Sequence, residues 1–301
     1  MERETYLYKI RRKCQTLAHK ILPNEFMVKL YSRIVLNKSV EIENPQTFNE
    51  KIQWYKLYYC PNEALVVKCA DKYAVREYIK EKGMEGILVP MLGSWKDARD
   101  ICWDKLPKQF VLKCAHGCAY NILCVDKDLF DKDKAVKQLN KWLKEDFGAF
   151  NIEPHYSKIK QRMIVCEEFL GECITDYKFF CFNGKPKFIY VSNDMIHDRQ
   201  AQIGFFNLDG SKMPIEREDY TDIASVTLPS FFDEMKKAAE ILCADFPFVR
   251  VDFFLANDRY YFAELTFTPG GGMMPFNPDK YDLEWGNMLD ISELKKRYGK
   301  K

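Results

Sequence analysis

The sequence has no apolar run long enough to cross a membrane, and its first residues lack the continuous apolar stretch of a signal peptide. A spanning helix needs about 20 mostly apolar residues, so we expect a cytoplasmic protein. The formal net charge is only +2, from 46 basic and 44 acidic residues. Overall charge therefore does not favour nucleic acid as a partner, and binding has to be argued from local sites.

The sequence also lacks internal repeats, low-complexity tracts and long Gly/Ser linkers. Its 11 cysteines are odd in number and scattered, which indicates reduced thiols rather than a disulfide framework. Cys114, His116 and Cys118 lie close together, but a structural zinc site normally needs a second spaced pair of ligands, and none is evident. We therefore predict no zinc site there.

With 301 residues and 47% hydrophobic content, the chain can bury a substantial core. Hydrophobic spacing of three and four residues predicts a mostly helical region over residues 1–86, with helices over 25–36, 48–59 and 64–82. The first predicted helix is basic and amphipathic, so it could contact an anionic membrane surface, although a solvated face packed on the protein is the simpler interpretation. Its cations are Lys9, Arg11, Arg12, Lys13 and Lys20.

From Ile87 onward the pattern changes to short runs rich in Val, Ile, Phe and Tyr, which predict strands. The predicted strands cover residues 110–114, 121–125, 163–169, 176–182, 187–192, 249–255 and 260–267. Two helical patterns, 131–147 and 229–246, interrupt them. Hairpins with separate helices predict an α+β fold, with one domain over 87–301 and a subdomain break near 165–170.

The most informative segment is a predicted hairpin over residues 247–272, with its turn near Asp258. In that register Asp252 faces Glu264 and Arg250 faces Thr266, all on one side of the sheet. Opposed carboxylates repel unless a cation lies between them, so the pair suits Mg²⁺. The alternatives are an exposed acid or a plain ion pair with Arg250. The following TPGGG sequence could bring backbone amides close to an anion, or be an ordinary flexible loop.

A second hairpin, residues 110–125, carries Lys113 near the end of its first strand. Its loop leads into a strand, which excludes a P-loop, but the lysine could reach phosphate oxygens. The strand that ends at Glu167, Glu168, Phe169 and Leu170 could present polar groups to adenine. Lys178 lies in an aromatic strand and faces either water or a phosphate.

Several long blocks, taken in order, resemble the TupA-like ATP-grasp proteins of bacterial polysaccharide and teichuronopeptide gene clusters. These blocks are NPQTFNEKIQWYKLY (44–58), ADKYAVREYI (70–79), FVLKCAHG (110–117), DYKFFCFNGKPKFI (176–189), DFPFVRVDFF (245–254) and AELTFTPGGG (263–272). The resemblance implies an ATP-grasp fold, in which two α+β subdomains grip ATP, behind a helical N-terminal region.

The resemblance also implies roles for individual residues. Lys113 and Lys178 would contact ATP phosphates beside His116 and Gly117, and residues 167–170 would hold adenine. Asp252, Glu264 and Thr266 would bind Mg²⁺, with Thr266 standing where many relatives carry Asn. Arg250 would stabilise a tetrahedral intermediate, and with Lys113 it would form the catalytic set. The loop from His116 to Asn121 departs from the family's HGSGGN pattern.

The implied activity is a carboxylate–amine ligase that forms an acylphosphate from a uronic acid or an amino acid. A kinase with a sugar acceptor would use the same ATP site. Asp126-Lys127-Asp128 suggests a third possibility, a metal-dependent glycosyltransferase, although a solvated turn is the simpler interpretation. The altered loop also leaves open a binding protein without turnover.

Overall fold

The computed structural model describes residues 18–19, 21–172, 174–193, 201–217 and 220–299. The predicted basic helix of the first 20 residues lies almost entirely outside this part. The helices are α1 (Asn24–Leu36), α2 (Phe48–Trp54), α3 (Ala64–Ala70), α4 (Val75–Glu81), α5 (Lys132–Lys144), α6 (Phe147–Asn151), α7 (Pro154–Ser157), α8 (Phe232–Cys243), α9 (Lys280–Met288) and α10 (Ser292–Tyr298). Within the described residues, no helix is long and apolar enough to span a membrane.

The described strands form two sheets. The strands are β1 (Met91–Trp95), β2 (Phe110–Cys114), β3 (Asn121–Cys124), β4 (Ile164–Glu168), β5 (Thr175–Phe182), β6 (Lys185–Asn193), β7 (Gln202–Asn207), β8 (Thr221–Asp222), β9 (Phe248–Ala256) and β10 (Arg259–Thr266). The smaller sheet has the order β1-β4-β2-β3, and the larger has the order β10-β9-β5-β6-β7-β8. All neighbours are antiparallel except β7 and β8. The chain passes between the sheets after β4.

Different helices pack on the two faces of the larger sheet, and side chains that alternate along its strands contact one helix or the other. Phe179 on β5 stacks on Phe232 of α8, with ring centroids 5.5 Å apart. Phe180 points to the other face, where its ring lies 5.3 Å from that of Trp285 in α9. Phe48 of α2 joins this second aromatic cluster. Lys178 shares the face of Phe180, so polar groups begin on this face where the aromatic cover ends.

Helix α2 begins at a capping box, because Thr47 and Glu50 satisfy each other's backbone N–H groups. It continues as a π-helical turn over Tyr55–Tyr59, so the predicted helix over 48–59 is helical throughout. The single helix predicted over 64–82 is wrong, because it is broken into α3 and α4. The break occurs at Asp71, whose side chain accepts hydrogen bonds from the backbone N–H groups of Tyr73 and Ala74.

Candidate active site

The β9–β10 hairpin places Asp252 directly opposite Glu264, and Arg250 directly opposite Thr266. The sequence predicts both pairs, and the structure confirms them. Directly opposed residues of an antiparallel pair point to the same face of the sheet. The four polar side chains therefore form one cluster.

The register of this hairpin depends on its turn and on one extra residue. The turn consists of Asn257 and Asp258, whose φ angles of 53° and 55° are both left-handed. Counted from that turn, regular pairing would place Ala263 opposite Asp252. A β-bulge at this point instead brings Glu264 opposite Asp252.

Arg250 connects the acids of the cluster. Its Nε donates to Asp252 Oδ1 at 2.8 Å, and its Nη2 donates to Asp252 Oδ2 at 2.6 Å. The same Nη2 donates to the hydroxyl of Thr266 at 3.1 Å, and that hydroxyl donates to Glu264 at 2.8 Å. The guanidinium thus fixes the Asp252 carboxylate by a bidentate contact.

Lys178 approaches Asp252 from the neighbouring strand β5, because the two residues are directly paired in the sheet. Its Nζ lies 3.4 Å from Asp252 and 2.9 Å from Asp176. Asp176 also accepts a hydrogen bond from the hydroxyl of Ser192 at 3.3 Å. Lys178 therefore faces the polar cluster rather than open water.

Lys72 brings a further cation to Glu264 from the α3–α4 break. Its Nζ lies 3.3 Å from a Glu264 carboxylate oxygen and 3.1 Å from the carbonyl oxygen of Gly117. Its backbone N–H donates to the carbonyl of Ala115 at 3.0 Å. These contacts join the helical region, the loop after β2 and the larger sheet at one residue.

The opposite charges within the cluster stabilise each other's ionised forms. Burial would raise the pKa of Glu264, but Lys72, Arg250 and Lys178 lower it to about 2. Burial would lower the pKa of each of the three cations, but their carboxylate partners raise it above its usual value. Burial raises the pKa of Asp252 against the opposing effect of Arg250 and Lys178. At neutral pH, Glu264 is therefore ionised.

Lys113 forms a second group of charges in the smaller sheet. Its Nζ lies 2.6 Å from one oxygen of Glu167, and Arg76 of α4 lies 3.1 Å from the other. Arg76 also donates to the carbonyl of Val89 at 2.9 Å. The side chain of Glu167 is thus held by two cations.

A cavity connects the two groups of charges. It is lined by Lys72, Val75, Arg76, Leu88, Lys113, Glu167, Phe262 and Ala263. Lys113 and Glu167 come from the smaller sheet, and Ala263 is the bulged residue of the larger one. Lys72 of the first group and Lys113 of the second therefore border one space between the sheets.

The other residues predicted to bind the nucleotide differ in their contacts and in their exposure. The backbone of Gly117 contacts Lys72, whereas the buried His116 ring lies against α5, with Nε2 3.1 Å from the carbonyl oxygen of Trp142. Glu168 is exposed, and Phe169 and Leu170 are half-buried where the chain leaves β4. Their roles in nucleotide binding remain predictions.

The altered loop is a packed structure. Ala119 has a left-handed backbone with φ 58°. The Tyr120 ring stacks on Trp142 at 5.0 Å, and its hydroxyl donates to Glu145 at 2.8 Å. The Cys118 thiol lies 3.4 Å from a tyrosine hydroxyl. Side-chain contacts thus stabilise the segment in which the family pattern has small residues.

The glycine loop, Pro269–Gly272, begins three residues after the end of the site-bearing strand β10. Gly271 and Gly272 have φ angles of 63° and 73°. Two fully buried side chains hold their carbonyl groups: Gln53 donates to both, at 3.0 and 2.8 Å, and Lys56 donates to Gly271 at 2.7 Å. Asn49 exchanges two hydrogen bonds of 2.8 Å with the backbone of Met274. The loop is therefore fixed by one face of the α2 region.

A buried acid lies on the other side of the glycine loop. Glu153 accepts a hydrogen bond from the hydroxyl of Thr268. Burial raises the pKa of Glu153, against the opposing charge of Lys56. Burial likewise lowers the pKa of Lys56 to about 8, with Glu153 opposing the shift. Two buried groups of opposite charge therefore contact the loop region, Lys56 at Gly271 and Glu153 at Thr268.

The donor set suits a hard divalent cation with few protein ligands. No group of three or more His, Cys, Asp or Glu residues that could hold a metal occurs in the described part of the chain. Mg²⁺ commonly takes only one or two carboxylates and fills its shell with phosphate and water oxygens. Asp252 and Glu264, with the Thr266 hydroxyl between Glu264 and Arg250, fit that requirement.

Sequence reasoning missed several residues that the structure places here. Lys72 and Arg76 lie within ADKYAVREYI, one of the blocks that resemble the family, and that block was a usable signal. Asn49, Gln53 and Lys56 recur at steps of four and three, which places them on one helix face. Glu153 had no such signal, because it is distant from the other site residues in sequence.

A family model described as TupA-like ATPgrasp matches residues 50–290 of the chain. No curated protein sequence matches it. Among solved structures, it is similar to a D-alanine–D-alanine ligase from Bacillus anthracis complexed with ATP, with 17% identity, 76% of this chain and 67% of that chain covered, and a TM-score of 0.47.

Two further solved structures are similar at a comparable level. One is an N5-carboxyaminoimidazole synthetase from Staphylococcus aureus complexed with ADP, with 14% identity, 76% and 52% coverage and a TM-score of 0.42. The other is an L-amino acid ligase from Bacillus licheniformis, with 18% identity, 69% and 44% coverage and a TM-score of 0.41. The assignment of the chain to a family rests on the family model. That model confirms the resemblance and the α+β ATP-grasp fold class: the chain belongs to the TupA-like ATP-grasp family.

Proposed function

We propose that the protein is an ATP- and Mg²⁺-dependent carboxylate–amine ligase that works through an acylphosphate. Its acid substrate is a uronic acid or an amino-acid-bearing component of a bacterial surface polysaccharide, and its acceptor is an amine. The observation that carries the proposal is the opposed pair Asp252 and Glu264, surrounded by Lys72, Lys178 and Arg250. The polysaccharide context comes from the family resemblance.

We assign the nucleotide to the space between the sheets, at the small cavity of about 10 Å³ that Lys72 and Lys113 border. A nucleotide is far larger than this cavity, so binding requires the two sheets to separate there. Lys113 and Lys72 border that cavity, and their charges offset those of phosphate oxygens. We assign adenine to the segment from Glu167 to Leu170, where the chain crosses between the sheets. Asp252, Glu264 and Thr266 would hold Mg²⁺, which supplies charge neutralisation for phosphoryl transfer.

The proposed reaction has two steps. A substrate carboxylate oxygen attacks the γ-phosphorus, the bond to the β-phosphate oxygen breaks, and ADP leaves. The amine then attacks the acyl carbon, loses a proton, and expels inorganic phosphate to leave an amide. Lys178 offsets charge in the first step, and Arg250 stabilises the oxyanion of the second.

The test is ADP release from Mg·ATP with a panel of uronic acids and amino acids, in the presence of hydroxylamine. An acylphosphate reacts with hydroxylamine to give a hydroxamate, so we expect hydroxamate from the wild-type chain and its loss in Glu264→Gln. The matched control is Glu240→Gln. Glu240 is an exposed acid on α8, the helix that packs on the face of the larger sheet away from the site, so this variant should retain activity.

Other results would assign another function. ADP together with a stable phosphorylated sugar and no hydroxamate would indicate a kinase. ATP binding without ADP release from any acid would indicate a binding protein. Loss of activity in Asp128→Ala but not in Glu264→Gln would favour the glycosyltransferase. In the structure, Asp126 accepts from the backbone N–H of Asp128 at 3.0 Å, as in an ordinary turn.

A further inference from the structure

Helix α1 presents an apolar stripe to solvent. Phe26, Leu30 and Ile34 recur at four-residue steps and are 53%, 40% and 64% exposed. Residues four apart are neighbours on one helix face, so the three side chains form a continuous row. Leu22, just before the helix, is also 37% exposed. Single exposed apolar residues are normal on a protein surface, whereas exposed apolar residues that adjoin one another can form an interaction surface.

The opposite face of α1 fixes the helix to the protein. Met27, Val28 and Ser32 are all buried. The only acid within α1, Glu25, accepts a hydrogen bond from the hydroxyl of Tyr58, so its charge is directed toward the protein. The buried face therefore fixes the helix on the protein, so that the apolar stripe faces solvent.

Cations border the stripe. Lys29 is three residues after Phe26, and Arg33 is three residues after Leu30, so both lie beside the apolar row. Neither forms a salt bridge with any residue that the structure describes. The first 20 residues of the sequence add Lys9, Arg11, Arg12, Lys13 and Lys20 to the same end of the chain.

We propose that α1 is a docking surface for a lipid bilayer with anionic headgroups. The apolar row enters the boundary between headgroups and acyl chains, and Lys29 and Arg33 contact the headgroups. The helix of 13 residues is about 20 Å long, which allows it to lie in the plane of the surface. A second copy fits less well, because a two-fold interface would bring the same cations together.

The test is co-sedimentation of the full chain with vesicles of phosphatidylcholine alone and of phosphatidylcholine with phosphatidylglycerol. We expect preferential binding to the anionic vesicles. Lys29→Gln and Arg33→Gln should each weaken this binding about fivefold. The double variant Phe26→Ser/Ile34→Ser should weaken it about tenfold or more. Leu129→Ser, at a side chain that is 86% exposed elsewhere, is the matched control and should bind as the wild type does.

Several outcomes would overturn the proposal. One is the absence of binding to anionic vesicles, and another is equal binding by the wild type and the double variant. A dimer without lipid that the double variant abolishes would assign the stripe to a second copy. Circular dichroism and thermal unfolding verify that each variant is folded. The proposal is independent of the proposed reaction, since ADP release need not change in any of these variants.

Discussion

Glu264 lies directly opposite Asp252 because a β-bulge at Ala263 shifts the register of the β9–β10 hairpin by one residue. Without the bulge, the Glu264 side chain would point to the face covered by α8. With it, both carboxylates meet Arg250, Asp252 also meets Lys178, and Glu264 also meets Lys72. The candidate site therefore depends on a local irregularity of one strand.

The charge cluster predicts a specific pH dependence of stability. The pKa of Glu264 is lowered from 4.5 to about 2, so its contribution to stability is fully present above pH 4.5 and is lost as the pH falls toward 2. We expect Glu264→Gln to lower the free energy of unfolding by about 2 kcal/mol at pH 7. The difference from the wild type should shrink at pH 4 and again at pH 3, measured by urea denaturation. A difference that grows on acidification would contradict this prediction.

The glycine loop offers a matched pair of substitutions. A Cβ at Gly272 would lie 2.9 Å from Gln53 Nε2 and 3.1 Å from Ile52 Cγ2, whereas one at Gly271 would meet nothing nearer than 4.0 Å. Both residues have left-handed φ, so each alanine carries backbone strain. We expect Gly271→Ala to cost about 1 kcal/mol and Gly272→Ala about 3 kcal/mol, because only the second also clashes. Equal costs in urea denaturation would show that Gln53 does not fix the loop.

The altered loop predicts opposite effects for two substitutions toward the family pattern HGSGGN. Ala119→Gly relieves a left-handed alanine and should stabilise the protein by about 0.5 kcal/mol, after the entropy cost of glycine. Tyr120→Gly removes a buried ring stacked on Trp142 and should cost about 3 kcal/mol or more. Thermal unfolding of the two variants tests this. Stabilisation by Tyr120→Gly would mean that the packing described for the loop is wrong.

Lys72 should be essential for turnover although the sequence did not single it out. It contacts Glu264 and borders the cavity assigned to the nucleotide. We expect Lys72→Met to lower ADP release about 100-fold, because it removes a fixed charge from developing phosphate charge. Lys68→Met on α3 is the control, since Lys68 pairs with Glu77 and Glu81 on the surface. Wild-type turnover by folded Lys72→Met would remove Lys72 from the site.

The sequence was sufficient to predict the hairpins and the main acid pair. Alternation along the strands and the Asn257-Asp258 turn predict the facing of Asp252 and Glu264, which the structure confirms. The bulge itself has no sequence signature, because Ala263 is an ordinary strand residue. The predicted register matches the structure because it is centred on Asp258, half a residue beyond the midpoint of the turn. That offset gives the same pairing as the shift that the bulge introduces.

Contacts between distant segments were not predictable from local patterns. Lys72 reaches Glu264 across 192 positions, and Gln53 reaches the glycine loop across more than 200. Helical periodicity also did not predict the break at Asp71, because an aspartate can lie within a helix or cap a new one. In the structure, the loop after β2 holds the residue that follows Asp71, because the carbonyl groups of Ala115 and Gly117 accept hydrogen bonds from Lys72.

The most direct test of the central claim uses an acid that yields hydroxamate, labelled with ¹⁸O in its carboxylate. If that carboxylate attacks the γ-phosphorus, one labelled oxygen must appear in the inorganic phosphate released after amide formation. We predict phosphate carrying a single ¹⁸O from the wild-type chain, detected by mass spectrometry. Unlabelled inorganic phosphate, with the lost carboxylate oxygen found elsewhere, would contradict attack of the carboxylate on the γ-phosphorus.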